Sequence, residues 1–440
     1  MTKSIFICTN CDAQFPKWAG RCDECGKWGT VEQSADPGKP ATAAAKHKTD
    51  IAAVAAAKPK PFSDISTGDV ERSTIGIGEF DRVLGGGIVP GSLILLGGDP
   101  GIGKSTLVAQ IAASIGQPVL YVSGEESAPQ LKMRFDRLGI EQKDIQYLGE
   151  EHVEVICKTI LETKPALAII DSIQTVASSA VETEPGSVNQ IKASTVRFLE
   201  VAKESNIPVM IIGHVTKGGE IGGPKALEHI VDAVLYLEGD KTTQYRILRS
   251  VKNRFGSTNE VGVFEMQEKG LMEVENPSEA FIEERSSSAG SCITAVAEGS
   301  RIFLIEIQAL VAKTSFGFPQ RKCSGFDLNR LNVLLAVLMR RAGIAFDQHD
   351  VYINVVGGAS LSEPSMDLAV CLALVSALND TPLAKDVAAW GEVGLGGELR
   401  SVSRGQDRAK ESKRFGFNTV VSNKEAKTLA EAIEKAGLKS

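Results

Sequence analysis

A phosphate-binding loop decides most of what this chain can fold into. Residues 98–105 read Gly-Asp-Pro-Gly-Ile-Gly-Lys-Ser, a full G-x-x-x-x-G-K-[ST] pattern. The apolar run Ser92-Leu-Ile-Leu-Leu-Gly97 precedes it, and Thr106-Leu-Val-Ala-Gln-Ile-Ala-Ala follows at helical spacing. A strand entering such a loop and a helix leaving it aim several backbone N–H groups at a polyphosphate. Gly98, Asp99, Pro100, Gly101, Ile102, Gly103, Lys104, Ser105 and Thr106 are the candidate nucleotide contacts. Lys104 is placed to reach the β- and γ-phosphates and Ser105 to offer its hydroxyl to Mg²⁺. ATP with Mg²⁺ is the expected ligand.

Around the loop, apolar runs of strand length alternate with helical stretches. The clearest are Ser92–Leu96, Pro118–Val122, Leu167–Ile170, Val209–Ile212 and Ala233–Leu237. Such alternation predicts an α/β domain with a parallel sheet covered by helices. With 440 residues, several domains are expected. The boundaries read as a zinc-binding module over 1–30, a flexible Ala/Lys/Pro-rich linker over 31–61, an ATPase over 62–275 and a mixed α/β domain over 276–440. In the last, strands are expected at Cys292–Val296, Arg301–Leu310 and Val351–Val356, with helices at Asp327–Arg341 and Ser365–Leu378.

Cysteine usage is uneven. Cys8-x-x-Cys11 and Cys22-x-x-Cys25 crowd into the first segment, while Cys157, Cys292, Cys323 and Cys371 are scattered among apolar residues. Two Cys-x-x-Cys knuckles at this spacing place four thiolates around Zn²⁺, and so short a segment has no core without the metal. Trp18 and Trp28 are expected to pack over that site. The scattered thiols, the absence of an apolar run long enough for a membrane and the lack of a signal-peptide pattern point to a reducing, cytoplasmic setting with no membrane partner.

Acids mark the ends of two further strands. Ala168-Ile-Ile-Asp171 closes an apolar run with the carboxylate that would hold Mg²⁺ beside the phosphate loop. Tyr121-Val-Ser-Gly-Glu125-Glu126 closes another, and Glu125 is the candidate for orienting and deprotonating the attacking water, with Glu126 second. His214 ends the run Val209–Ile212 where a γ-phosphate sensor would sit. Lys252 and Arg254, one residue apart after Tyr245–Val251, are candidate catalytic cations: they could reach a neighbouring copy's phosphates or grip a DNA backbone. The net charge of −7 provides no general attraction for nucleic acid, so DNA would be held by local loops, Ser178–Lys192 and Lys217–Lys225.

In this order, the Cys knuckles, the loop 98–105, Gly124-Glu125-Glu126, Ile170-Asp171-Ser172 and Lys252-Asn253-Arg254-Phe255-Gly256 resemble the bacterial RadA (Sms) recombination and repair family. The resemblance covers essentially the whole chain. It implies a RecA-like core close to DnaB-type ring helicases, working as a hexameric motor on single-stranded and branched DNA alongside the RecA recombinase. Residues 277–440 are similar to the proteolytic domain of Lon, with Ser365 at the nucleophile position. Lon-type peptidases need a Lys base, and the alignment places Gln406 there, which implies a scaffold rather than a working peptidase. As that scaffold, the domain is expected to serve ring assembly and DNA contact through Arg301, Arg321, Lys322, Arg330, Arg340 and Arg341. Two other readings compete with a DNA motor: an ATP-dependent Ser protease, and a clock-like or signalling ATPase suggested by the Glu125-Glu126 pair.

Overall fold

The computed structural model describes residues 6–8, 14–15, 17–22, 26–33, 61, 71–213, 227–239, 244–282, 288–315, 317–356 and 363–439. These fall into two compact units, Met1–Val70 and Glu71–Ser440. In the first, strands β1 (Phe6–Cys8), β2 (Gln14–Phe15) and β3 (Val31–Gln33) form a small antiparallel sheet in the order β2-β1-β3. Residues 34–60, most of the expected linker, lie outside the described residues.

The second unit is built on two sheets. After α1 (Gly78–Leu84) the chain alternates β4 (Leu93–Gly98), α2 (Lys104–Ser114), β5 (Val119–Ser123), α3 (Ala128–Leu138), β6 (Ile145–Leu148), α4 (Val153–Thr163), β7 (Leu167–Asp171), α5 (Val188–Ser205) and β8 (Val209–Ile212). It continues through β9 (Ala233–Glu238), β10 (Tyr245–Asn253), β11 (Val261–Gln267) and β12 (Gly270–Glu273). These strands make one nine-stranded sheet in the order β12-β11-β10-β9-β4-β8-β7-β5-β6. From β9 to β6 all pairings are parallel, while β10, β11 and β12 extend the edge antiparallel.

The reason for parallel pairing is visible in β4. Ile94 and Leu96 enter one core with Leu107, Val108 and Ile111 of α2, while Leu93 and Leu95 enter another with Phe198 and Ala202 of α5. A strand apolar on both faces must be covered on both, and crossover helices provide the cover. The five expected strands of this domain are all present, each within two residues of its expected ends.

Next come α6 (Pro277–Ile282), β13 (Ser291–Glu298), β14 (Arg301–Lys313), β15 (Arg321–Ser324), α7 (Leu328–Val337), β16 (His349–Val355), α8 (Asp367–Leu378) and β17 (Val387–Ala389). A short hairpin β18 (Glu392–Val393) and β19 (Leu399–Arg400), then α9 (Gly405–Arg414), β20 (Thr419–Val421) and α10 (Leu429–Lys435) complete the chain. The second sheet has the order β15-β16-β14-β13-β17-β20 and is mixed. Helix α8 is buried from Asp367 through Ser376, as its uniformly apolar sequence requires. The helix expected over Asp327–Arg341 is α-helical only to Val337 and widens into a π-helical turn over 338–342.

The hairpin between β13 and β14 joins the two sheets. Glu79 of α1 is 3% exposed. Its carboxylate accepts from the Val263 amide at 2.8 Å and from the Arg301 guanidinium at 2.7 Å. Arg249 of β10 pairs with Glu298 and, at 2.8 Å, with Glu238, and Ser300 donates to Glu260 at 2.5 Å. Removing one partner of a buried ion pair leaves an uncompensated charge. Arg301→Ala should therefore lower stability to urea unfolding by about 3 kcal/mol, and Glu79→Gln added to it should recover part of that loss; an unchanged midpoint in Arg301→Ala would show that the pair is slack.

Candidate active site

Three strand ends converge at one edge of the nine-stranded sheet. β4, β7 and β5 run parallel, and their carboxyl ends carry the loop 98–105, Asp171 and Gly124-Glu125-Glu126 respectively. Ligands of open parallel sheets bind at this edge.

The loop's glycines are dictated by space. Gly98 has φ 151°, and a Cβ there would lie 2.5 Å from the Leu237 carbonyl oxygen. Gly103 has φ 116°, and a Cβ would meet the Met266 methyl at 2.6 Å. No other residue leaves the backbone free to curl before α2. Lys104 opens that helix and is 4% exposed; its ammonium donates to the carbonyls of Gly98 at 2.8 Å and Asp99 at 2.9 Å. Burial pushes its pKa down, against the nearby Asp171, Asp99 and Glu125. Asp99 and the neighbouring Ile102 also line a cleft of about 220 Å³ with Tyr236, Leu237 and Glu238.

Asp171 is 3% exposed. One carboxylate oxygen accepts from the Tyr121 hydroxyl at 2.8 Å, while Oδ1 is buried with no hydrogen-bond partner among the described residues. Burial raises its pKa, and hydrogen bonds from Tyr121 and Ser105 act in the opposite direction. Tyr121, likewise buried, has its own pKa pushed well above the ordinary phenol value by that burial. A carboxylate oxygen kept bare beside the Ser105 hydroxyl and the Lys104 ammonium fits a divalent cation with a polyphosphate.

Glu125 accepts a hydrogen bond from the hydroxyl of Ser172, the residue after Asp171. Glu126 turns the other way: it pairs with Arg134 at 2.7 Å, and burial raises its pKa. The arrangement thus puts Glu125 beside Asp171 and leaves Glu126 tied to α3. Both border a second cleft of about 360 Å³, lined also by Tyr147, Gly149 and Glu150.

Lys252 and Arg254 are elsewhere. Asn253 pairs with Ala233, which also pairs with Ile94, so this segment lies at the amino end of β4, opposite the phosphate loop. The Lys252 ammonium donates to the carbonyls of Glu228 at 2.6 Å and Val231 at 2.9 Å. Arg254 lies just past β10 and pairs with Asp232 at 3.2 Å. Both cations reach into residues 228–232, and within one chain they do not meet the phosphate loop. Asp232, which sequence reasoning missed, organises the region: 1% exposed, it also accepts from the Leu93 amide at 3.1 Å and Lys203 at 2.7 Å. A lone Asp in a loop offers no pattern by which to find it.

Of the expected DNA loops, Lys217–Lys225 lies outside the described residues, as does His214. In Ser178–Lys192, Ser178 and Ser179 are bound to Glu154, Gln190 closes the turn from α5, and the helix begins at Val188. That segment is an ordered cap, not a free loop.

Of the cysteine tetrad, Cys8 and Cys22 are fully buried and share a small cluster with Val31; Cys11 and Cys25 lie outside the described residues. The Cys22 carbonyl accepts from the Gly26 amide at 2.8 Å and its amide donates to Lys27 at 2.9 Å, the tight turn a metal knuckle requires. Two buried thiols brought together, one from the end of β1 and one from the turn after Arg21, fit half of a Zn²⁺ site. The tryptophans do not cover it: Trp18 is 63% and Trp28 77% exposed.

In the second sheet's domain, Ser365 is fully buried in a 3₁₀ turn, and the group facing it is neither Gln406 nor Lys410, which are both exposed. It is Arg408, whose guanidinium donates to the Ser365 hydroxyl at 3.1 Å and also binds Glu363, the Ala295 carbonyl and the Ser403 carbonyl. A guanidinium stays protonated and cannot serve as the base that a serine nucleophile needs. Three of the cations expected to face outward are also engaged inside the fold: Arg301 with Glu79, Arg321 with the carbonyls of Phe346 and His349, and Arg330 with Asp367.

Family models match residues 6–33 (rubredoxin metal-binding domain), 73–152 (KaiC ATPase) and 336–437 (C-terminal proteolytic domain of Lon protease, S16). Solved structures similar to the chain include a KaiC-like protein of Pyrococcus horikoshii OT3, 22% identical, TM-score 0.39, covering 47% of this chain and 100% of that one. The RadB recombinase, 24% identical with TM-score 0.38, covers 46% and 100%. The DNA repair protein RadA of Bacillus subtilis (strain 168) is 48% identical over 99% of this chain and 96% of its own length. That of Brucella abortus (strain 2308) is 46% identical over 94% and 91%. At this identity along nearly the full length, from metal knuckle to Lon-like domain, the chain belongs to the DNA repair protein RadA family.

Proposed function

We propose that this ATPase is a motor on single-stranded DNA that processes branched recombination intermediates together with a RecA-type recombinase. The coarser role, in DNA repair and recombination, follows from family membership. One observation carries the finer reading: the phosphate loop, Asp171 and Glu125 occupy one edge of the sheet, while Lys252 and Arg254 stand at the other. Cations that cannot serve their own loop suit a ring, in which each copy offers them to the next copy's nucleotide. A hexamer is the proposed ring.

A bound ATP with Mg²⁺ would supply the anhydride to be cleaved and neutralise part of its charge. Around it, Lys104 moves its donors from the loop carbonyls to phosphate oxygens. Ser105 and Asp171 would hold the metal's shell. Glu125, steadied by Ser172, orients a water and accepts its proton. The zinc knuckle of Cys8, Cys11, Cys22 and Cys25 is a structural module. A non-motor ATPase of the same superfamily is the second reading, favoured by the Glu125-Glu126 pair.

Unwinding of a forked duplex separates the two readings: the native chain should displace a strand and Lys104→Ala should not, with ATP turnover reduced at least 100-fold. No displacement under any condition leaves the non-motor reading. For the cations, Lys104→Ala and Arg254→Ala copies should each be inactive alone and regain part of their turnover when mixed, because a mixed interface pairs an intact loop with an intact finger. Mixtures as inactive as their components would end the trans assignment. Casein supplied with ATP should be digested no faster by the native chain than by Ser365→Ala; any Ser365-dependent cleavage would restore the protease reading.

A further inference from the structure

The two exposed tryptophans point outward for no reason internal to their fold. Trp18 and Trp28 sit on adjacent arms of the turn that carries Cys22: Arg21 bridges to Trp28, and the Gly29 amide donates to the Gly20 carbonyl at 2.8 Å. Both indoles close on the same spot. A Cβ at Gly20 would lie 3.6 Å from Cη2 of Trp18 and 3.9 Å from Cζ3 of Trp28. At 63% and 77% exposed they form a paired aromatic surface, whereas the small core of this unit is made by Cys8, Cys22 and Val31 with Phe6 and Phe15. Two large apolar rings left side by side in water signal a binding surface.

Their neighbours say what kind. Lys17, Arg21 and Lys27 are all exposed and flank the pair in sequence on both arms. The Arg21 Nε donates to the Gly26 carbonyl at 2.9 Å, which fixes the guanidinium beside the turn. Flat rings with cations around them match the alternation of base and phosphate along a single strand: bases stack on the rings and phosphates meet the cations. Within a duplex the base faces are occupied by their neighbours and cannot stack on a protein ring.

We infer that Trp18 and Trp28 form a stacking platform for unpaired nucleobases, with Lys17, Arg21 and Lys27 contacting the flanking phosphates. This rests on the reading of DNA as the chain's substrate and assigns its metal knuckle the task of holding unpaired strand without regard to sequence.

The chain has three tryptophans, and the third, Trp390, is 3% exposed in the second sheet's domain, so changes in indole emission report on the pair. Titrating the full-length protein with an oligothymidylate of about twenty residues should quench that emission, and the effect should weaken with added salt. The double variant Trp18→Ala, Trp28→Ala should bind the labelled strand about tenfold more weakly. Its DNA-free ATP turnover should equal the parent's, while Trp18→Phe with Trp28→Phe, which keeps two flat rings, should retain most of the affinity. A strand that binds and stimulates ATP turnover while leaving the emission unchanged overturns the platform but not the motor. So does a double alanine variant that binds as tightly as the parent. A full-length protein that binds no strand at all overturns both.

Discussion

The molecule is organised around one strand that water never touches. All six residues of β4 are buried, and their side chains alternate between two separate cores. Burying each Leu or Ile contributes about 1.5–3 kcal/mol, so β4 cannot slip by a residue without exchanging both cores at once. Its end is therefore fixed in space. Gly98 must follow because the Leu237 carbonyl of β9 leaves no room for a side chain, and the chain turns there into α2. A phosphate loop mounted on so rigid a base keeps its N–H groups oriented before any ligand arrives, and preorganised dipoles of this kind give the largest electrostatic return.

The same edge connects to the Lon-like domain through charge. Glu238, at the end of β9, lines the cleft beside Gly98 and Asp99. Arg249 binds Glu238 on one side and Glu298 of the β13–β14 hairpin on the other. Arg404, at the start of α9, donates to the carbonyls of Gly299 and Ser300 and so holds the tip of that hairpin. Buried and half-buried ion pairs of this kind add little net stability, but they fix orientation, because every alternative leaves a charge unpaired. The retained Ser365 fits the same pattern. Its pocket is filled by Arg408 and Glu363, and what would be a catalytic pair in a peptidase is here a cross-link between β13, α9 and the turn before α8.

What could be read in the sequence was whatever depends on near neighbours. The loop 98–105, the buried strands and the acids ending β5 and β7 each announce themselves within a few residues, because hydrogen bonding and burial at a strand end are local matters. Asp232 could not be found that way: its three partners, Leu93, Lys203 and Arg254, are distant in sequence and meet only in the folded sheet. Arg408 was missed by two positions. The residue pairing with Ser365 lies 43 residues away, across a hairpin and a turn whose lengths no local motif fixes. The tryptophans failed for a different reason. Aromatic residues near a metal knuckle are expected to supply its core, yet here Phe6, Phe15 and Val31 already do so.

The placement of Lys252 and Arg254 has an energetic side. Both are engaged within their own chain, so service to a second copy means giving up those contacts. For Arg254 the loss is limited on its own side, since its side chain is 51% exposed and returns to water on leaving the buried Asp232. Asp232 would not be abandoned either, since the Leu93 amide and Lys203 continue to hold its other oxygen. Lys252 has more to lose, because two backbone carbonyls would be left without their donor. The two cations are thus unequal in their freedom to move. Arg254 is the freer of the two, while Lys252 ties the end of β10 to the 228–231 turn. On this argument a contact with a second copy's phosphates would fall to the guanidinium, whose planar fork also suits phosphate oxygens better than an ammonium does.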